Sequence, residues 1–257
     1  TLTADIIGGT YAISAAFSKK LPVRLSLSAI RKASLRNYLS VIRIGIPAGL
    51  EEFAWNAGNI LLIRLLNGIS PMAAGIYTIV ASITMIPSFF VMATGSAAMT
   101  ISGRKTGEGK PAEIRLTNRK AMTLSFACCA IFLVLFVAMP EWFAGIFTRD
   151  ASIISEAGMM LIISAITLFP KGANIIYGGG VRGMGDTRWM LMSQIFGTAF
   201  VLAVAYIMTF TFGLRLAGIF VAVLFDEIVR AIINGLWFHH KVTISVRKVE
   251  AMQREAV

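Results

Sequence analysis

The stretch "AMTLSFACCAIFLVLFVAM", residues 121–139, contains no charged side chain, and it decides the fold class. An α-helix rises about 1.5 Å per residue, so a run of about 20 apolar residues crosses the hydrocarbon core of a bilayer. The rest of the chain has a similar character, since 56% of its 257 residues are hydrophobic, 14% are charged and the mean hydropathy is +0.75. A soluble domain carries about 25% charged residues. The composition therefore predicts an all-α integral membrane protein.

The apolar runs on both sides of this stretch predict a six-helix transmembrane bundle. Segments of sufficient length lie at about 41–67, 72–102, 116–139, 153–179, 189–212 and 216–239. Kinks are predicted at the prolines within three of them, Pro47, Pro87 and Pro170. We expect four parts along the chain: the end of a truncated membrane helix at 1–18, a basic connection at 19–43, the six-helix lobe at 44–239 and a basic tail at 240–257.

The distribution of Lys and Arg explains the net charge of +11 without a nucleic acid partner. Seven basic residues and no acidic one lie between residues 18 and 43, and basic residues are again frequent at 104–120, at 182–188 and in the tail. The connections between these are poor in basic residues, and such alternation is typical of loops that stay on the cytoplasmic side. We therefore predict a plasma-membrane protein, in bacteria the inner membrane, with both ends in the cytoplasm. Residues 23–43 form either an amphipathic helix on the lipid surface or a solvated loop.

Two carboxyl groups lie within the first full span. Ionisable residues inside membrane helices are costly and usually functional. Glu51 and Glu52 are adjacent there, and Glu52, Asn56 and Asn59 share one helix face at the spacing i, i+4, i+7. A carboxylate on such a face binds a proton, Na⁺ or a cationic substrate. The alternative is a solvated carboxylate near the end of the helix.

The fourth and last spans carry further charges. Asp226 and Arg230 are spaced i, i+4 and can neutralise each other, which leaves Glu227 as the less compensated carboxylate. A structural ion pair and an ion-binding site are both compatible with this spacing. Lys171 and Asn174 share a face of the fourth span, where the lysine either faces a cavity or extends towards the membrane surface.

Residues 178–183, "GGGVRG", match the spacing G-x-G-x-x-G of dinucleotide-binding turns. That motif follows a strand, opens a helix and is followed about 20 residues later by an acidic residue. Here the glycines end a predicted membrane helix, and residues 201–204 are apolar. The glycines instead predict close helix packing and bending. The adjacent Cys128 and Cys129 have no metal-ligand spacing, and the sequence contains neither H-E-x-x-H nor G-x-S-x-G, so we expect neither an enzyme nor a cofactor or metal.

Four segments resemble the multidrug and toxic compound extrusion (MATE) family, in the order and spacing of its C-terminal half. "GIPAGLEEFAWNAGNILLIRLLNGIS" (45–70) is similar to helix seven, and "SGRKTGEGKPAEIR" (102–115) to the loop after helix eight. "LRLAGIFVAVLFDEIVRAI" (214–232) is similar to helix twelve. "GGGVRGMGDTR" (178–188) resembles the family's LRGxGDT motif, carried here by Arg182, Gly183, Gly185 and Asp186, with Val181 in place of Leu.

The resemblance implies that the chain is the C-terminal lobe of a twelve-helix transporter. Its expected partners are the lipid bilayer and a preceding N-terminal lobe. It implies export of small cationic amphiphilic compounds in exchange for H⁺ or Na⁺ by alternating access, with Glu51 as the carried-over acidic residue. Together, the residues and the resemblance predict these substrate or ion ligands: Glu51, Glu52, Asn56, Asn59, Lys171, Asn174, Asp226, Glu227 and Arg230.

The chain also departs from the family pattern at places that bear on ion coupling. An acidic residue that some members place one turn further along helix seven falls at Trp55, and an Asp of helix ten has only Lys171 and Asn174 as polar counterparts. A flippase for lipid-linked sugars is the nearest alternative function, since Lys171 and Arg230 provide positive charge for a phosphate. A membrane subunit without transport activity is the other alternative.

Overall fold

The computed structural model describes residues 2–17 and 34–255, and all regular structure in these ranges is helical. The helices are α1 (Leu2–Ala16), α2 (Leu35–Ile69), α3 (Pro71–Gly107), α4 (Ala112–Ala138), α5 (Pro140–Gly145), α6 (Ala151–Gly183), α7 (Thr187–Tyr206), a π-helical turn (Ile207–Thr211) and α8 (Arg215–Glu255). The chain divides into two compact units, residues 1–45 and 46–257. The all-α fold class predicted from composition is confirmed.

Six long helices, α2, α3, α4, α6, α7 and α8, follow one another as the apolar runs predicted. Within the described residues, four helical segments are long and apolar enough to cross a membrane: α3, α4, α6, and α7 together with its π-helical turn. α2 and α8 also have the length, but they carry the interior charges at Glu51, Glu52, Asp226, Glu227 and Arg230. The chain is therefore a multi-pass membrane protein in which the two most polar helices contain most of the candidate ligands.

The beginning of the bundle differs from the predicted boundary at residue 44. α2 begins at Leu35, inside the predicted basic connection. Residues 18–33, which contain Lys19, Lys20, Arg24 and most of the predicted surface helix, lie outside the described residues. The predicted membrane-helix end at 1–18 corresponds to α1, which is helical over Leu2–Ala16.

The end of the bundle also differs, because α8 continues as a helix to Glu255 where the sequence predicted a tail from residue 240. The reason is an apolar stripe that continues past the span. Phe238, Val242 and Val246 recur at i, i+4, i+8 and pack in one cluster with Ile114 of α4. This packing extends the helix beyond the residues that a bilayer alone would order.

The prolines at positions 47, 87 and 170 lie within continuous helices.

The short connections between helices are stabilised by local hydrogen bonds and by proline at the start of the next helix. At the start of α3, the Ser70 hydroxyl accepts a hydrogen bond from the Ala73 amide at 3.0 Å, and Pro71 occupies the first helical position. The short α5 was not predicted, and it begins at Pro140 immediately after α4.

The glycines of α6 bring three helices into close contact. A Cβ atom on Gly179 would lie 2.6 Å from the carbonyl oxygen of Gly95 on α3, and one on Gly180 would lie 2.6 Å from the Phe238 ring on α8. Gly183 likewise lies against the backbone of Gly103. Only a residue without a side chain fits at these contacts. The close packing predicted from the glycine run is confirmed, and α6 ends at Gly183 as expected.

We predict that Gly179→Ala destabilises the protein, because the added methyl group meets backbone atoms that cannot rotate away. Overpacking of this kind costs about 1–3 kcal/mol. The matched control is Gly75→Ala on α3, where an added Cβ meets nothing within 4 Å. Thermal unfolding in detergent should show a lower Tm for Gly179→Ala and an unchanged or slightly higher Tm for Gly75→Ala. Equal Tm values for the two variants would contradict the packing described.

Candidate functional site

A polar cluster lies where α6, α7 and α8 meet within unit 46–257. We call it the interior cluster, and its members are Asn174, Gln194, Asp226, Glu227, Arg230 and Asn234. Its acidic members are almost completely buried, with exposed fractions of 4% for Asp226 and 7% for Glu227. A buried charge is tolerated only when it is paired or hydrogen-bonded, so the contacts of each member decide what the cluster can do.

Arg230 is the centre of the charged part. Its guanidinium Nη2 lies 2.8 Å from Oδ2 of Asp226 and 3.4 Å from Oε1 of Glu227, and Nη1 donates to Oε1 of Gln194 on α7 at 2.9 Å. The i, i+4 pair predicted from sequence is thus present. Glu227 shares the same guanidinium, so one positive charge faces two carboxyl groups.

Amides connect the charged part to α6. The Asn174 side chain donates to Oε2 of Glu227 at 2.9 Å, and the Asn234 side chain donates to Oδ1 of Asn174 at 2.8 Å. The indole Nε1 of Trp189 on α7 in turn donates to Oδ1 of Asn234 at 3.0 Å. Glu227 is therefore held by α6 and α8 together, and its environment depends on the distance between these helices.

Glu51 lies apart from this cluster in a separate ion pair. It is buried, with an exposed fraction of 7%, and its carboxylate accepts from the guanidinium of Arg182 on α6, with Nε of Arg182 3.2 Å from Oε2. Glu51 was predicted as an ion ligand and Arg182 as part of the family loop motif. Their pairing places a neutralised carboxylate at the end of α6, so a cation that binds Glu51 competes with Arg182.

The predicted polar face of α2 is not part of either cluster. Glu52 and Asn56 are exposed, Asn59 is half-buried, and the Asn56 amide donates to the carboxylate of Glu52 at 3.3 Å. Within the described residues, this face is turned away from Glu51 and from α8 and remains accessible.

Lys171 extends its ammonium group towards α3. Its Nζ lies 3.2 Å from Oγ of the buried Ser88, which follows Pro87 in the middle of α3. Within the described ranges, Lys171 forms no ion pair. This direction disfavours extension to the membrane surface, and the structure separates Lys171 from Arg230, which is enclosed by carboxylates.

A further cluster lies at the end of the bundle that carries the basic connections 103–120 and 182–188, which we call the basic end. Asp186 caps α7 by accepting from the Trp189 amide, pairs with Lys241 at 2.7 Å and accepts from Nε1 of Trp237 at 3.1 Å. The rings of Trp189 and Trp237 stack with centroids 4.0 Å apart. We call these four residues, Asp186, Trp189, Trp237 and Lys241, the Asp186 clasp.

The clasp determines the protonation of Asp186. Burial of the carboxyl group opposes its ionisation, but the hydrogen bonds and charge of Lys241 and the hydrogen bond from Trp237 outweigh burial, so the pKa of Asp186 is lowered. A carboxyl group with a lowered folded-state pKa stabilises the fold above its unfolded-state pKa. That stabilisation is lost as the pH falls through the lower, folded-state pKa.

Several residues of these clusters were not predicted from sequence: Ser88, Trp189, Gln194, Trp237 and Lys241. Each is an ordinary packing or surface residue by type, and its partner lies on another helix. Among the residues that the structure describes, no group of three or more His, Cys, Asp or Glu side chains is placed to hold a metal ion.

Comparison with known proteins gives consistent matches. The model of the family MatE matches residues 47–207. An uncharacterized transporter, YisQ of Bacillus subtilis, is 25% identical over 239 residues, which is 91% of this chain and 51% of that protein. A probable multidrug resistance protein, NorM of Thermotoga maritima, is 28% identical over 204 residues, which is 77% of this chain and 43% of that protein. The chain spans about half the length, or less, of these curated relatives.

A solved structure has the same fold. An outward-facing multidrug resistance MATE family transporter of the MOP superfamily superposes with a TM-score of 0.86 at 19% sequence identity. The superposition covers 96% of this chain and 56% of that chain. The helix arrangement described above is therefore that of one part of a larger transporter fold.

We predict that Asp186→Asn destabilises the protein by about 1–2 kcal/mol at neutral pH, because the variant loses a charged hydrogen-bond acceptor. The difference from the unmodified protein should stay constant down to about pH 5. It should shrink below about pH 4, where Asp186 itself becomes protonated. Thermal unfolding at several pH values measures this. Arg188→Gln is the control, since Arg188 is exposed and lies outside the clasp. A difference that grows on acidification would contradict the assignment.

Proposed function

The chain belongs to the MatE family, and we propose that it forms the C-terminal lobe of a multidrug efflux antiporter. In this proposal a second lobe precedes it, and the two lobes export cationic amphiphilic compounds by alternating access in exchange for H⁺ or Na⁺. The observation that carries the proposal is the set of buried carboxyl groups inside an apolar helix bundle. Such groups are costly in a membrane and are typical of ion and substrate pathways. No catalytic residue is assigned.

The Glu51–Arg182 pair supports the exchange of one cation for another. Because Arg182 already neutralises Glu51, an incoming cation gains the carboxylate only by displacing the guanidinium. Arg182 also lies beside the Asp186 clasp, at the basic end. Binding at Glu51 would therefore change a contact between α2 and α6 at the place where α6 ends. Glu52 contributes an accessible negative charge that attracts cationic compounds.

We propose that the protein resides in the plasma membrane, in bacteria the inner membrane, with the basic end in the cytoplasm. The basic connections 103–120 and 182–188 support this orientation, since Lys and Arg favour retention on the cytoplasmic side. The membrane lipids and the preceding lobe are the proposed partners.

The flippase alternative is less well supported than it was by sequence alone. A cavity for a phosphate requires unpaired positive charge, and Arg230 is surrounded by Asp226, Glu227 and Gln194. Of the two cations considered for a phosphate site, Lys171 is the one whose described partner is neutral, the Ser88 hydroxyl. One lysine provides weaker support for a phosphate site than two cations would.

Proteoliposomes that contain the full-length protein test the proposal. A pH-sensitive dye and radioactive Na⁺ report whether a cationic drug stimulates ion movement across the vesicle membrane. A parallel assay with a fluorescent lipid-linked sugar reports flipping. Drug-stimulated ion movement supports the antiporter, flipping without it supports the flippase, and the absence of both supports a subunit without transport activity.

We predict that Glu51→Gln combined with Glu52→Gln lowers drug-stimulated ion exchange about tenfold or more, which corresponds to about 1.4 kcal/mol of lost cation binding. The cause is the removal of both carboxylates from the proposed entry site. Glu141→Gln is the matched control, since Glu141 is exposed in the connection after α4 and should leave exchange unchanged. Thermal unfolding shows whether each variant is folded. Unaltered exchange in the folded double variant would refute the assignment of Glu51 and Glu52.

A further inference from the structure

We propose that Asp226 and Glu227 together hold one exchangeable monovalent cation, H⁺ or Na⁺, in a site that is separate from Glu51. The proposal rests on the proposed function for the use of this cation in transport. The binding itself can be measured without transport. The cation belongs to the pair of carboxyl groups, because both lie against the one guanidinium of Arg230.

The charge balance of the interior cluster is the first support. Asp226 and Glu227 face Arg230, and the other members, Asn174, Gln194 and Asn234, are neutral amides. Two ionised carboxylates and one guanidinium leave one negative charge uncompensated. Such a charge is strongly disfavoured in a buried site. One proton or one monovalent cation restores neutrality, whereas a divalent ion would leave a positive charge.

The neighbouring elements do not supply the missing positive charge. On α6, Arg182 pairs with Glu51, and Lys171 directs its ammonium group to Ser88 on α3. On α2, Glu51 adds a further negative charge that acts on Arg230. α7 presents only the neutral side chains of Trp189, Ser193, Gln194 and Thr198 to this region. Across the two ion-paired groups, three carboxylates thus face two guanidiniums.

Unpartnered polar atoms next to the pair are the second support. Oδ1 of Asp226 is buried and has no hydrogen-bond partner within the described ranges, and the same is true of Nε of Arg230 and Oγ of Ser193. Oδ1 of Asp226 and Nε of Arg230 both lie within 3.0 Å of the point where Gly197 would carry a Cβ atom. A side chain at Gly197 would collide with Arg230, so this glycine allows α7 to pack directly against the pair.

A chain of hydrogen bonds connects the pair to an optical reporter. Glu227 accepts from Asn174, Asn174 accepts from Asn234, and Asn234 accepts from the indole of Trp189. Trp189 stacks on Trp237 of the Asp186 clasp. A change in charge at the pair therefore alters the surroundings of a stacked indole, which changes tryptophan fluorescence. The same chain of hydrogen bonds connects the cation to the Asp186 clasp at the basic end.

Cation binding to the purified full-length protein in detergent tests the proposal. Radioactive Na⁺ binding at about pH 8, with choline as the competing control cation, detects a sodium site. Proton uptake between about pH 8 and pH 5 in sodium-free buffer, followed with a pH indicator, detects a proton site. Tryptophan fluorescence is recorded in both titrations, and the variant Trp189→Phe identifies the signal that comes from Trp189.

The variants Asp226→Asn and Glu227→Gln should behave alike. Either change leaves one carboxylate for one guanidinium, so each should lower the affinity for the cation about tenfold or more and remove the Trp189 signal. Glu141→Gln is the matched control, since Glu141 is an exposed carboxyl group outside the clusters described, and it should bind as the unmodified protein does.

Each outcome decides the proposal. Binding of Na⁺ or uptake of H⁺ that both α8 variants lose supports it and identifies the ion. The proposal is overturned if both variants bind the cation as tightly as the unmodified protein. It is also overturned if the unmodified protein binds no cation. Loss only in Glu51→Gln assigns the site to Glu51 instead. Cation binding at the pair without any drug exchange would refute the proposed function alone. Drug exchange that persists in both the Asp226→Asn and the Glu227→Gln variant would refute this site alone.

Discussion

The structure depends on the close approach of α6 to α3 and α8, which the glycines of α6 permit. A Cβ atom at Gly179 would lie 2.6 Å from the backbone of Gly95, and one at Gly180 would lie 2.6 Å from the Phe238 ring, so α6 meets α3 and α8 without a side chain of its own at these points. In a membrane, lipid tails are as apolar as helix surfaces, and close van der Waals contact becomes the main attraction between helices. The same short distance brings Asn174 of α6 within 2.9 Å of Glu227 on α8.

This packing has a consequence for charge. Asp226 and Glu227 are almost completely buried, and among the described residues Arg230 is the cation that contacts both. Two other carboxylates each have one cation as partner: Glu51 pairs with Arg182, and Asp186 pairs with Lys241. The interior of the lobe thus contains balanced pairs near the basic end and an unbalanced group deeper along α8. An unbalanced group is where a transported or coupling cation gains most from binding.

Much of the fold was predictable from sequence, because apolar length and glycine spacing act locally along one helix. The spans, the packing role of residues 178–180 and the Asp226–Arg230 pair followed from such local patterns. The partners of Glu51 and Glu227 could not be predicted in this way, because each partner lies on another helix. Arg182 is 131 residues from Glu51, and Asn174 is 53 residues from Glu227. The helical end of α8 was missed, although Phe238, Val242 and Val246 carry a readable helical period.

The central claim is that the close approach of α6 to α8 brings Asn174 into direct hydrogen-bonded contact with Glu227. A double-mutant cycle tests it most directly, with Asn174→Ala, Glu227→Ala and the double variant compared by thermal unfolding. A buried hydrogen bond to a charged group predicts a coupling energy of about 1.5–3 kcal/mol between the two sites. A coupling energy near zero would contradict the account, since it would mean that the two side chains do not meet in the folded protein.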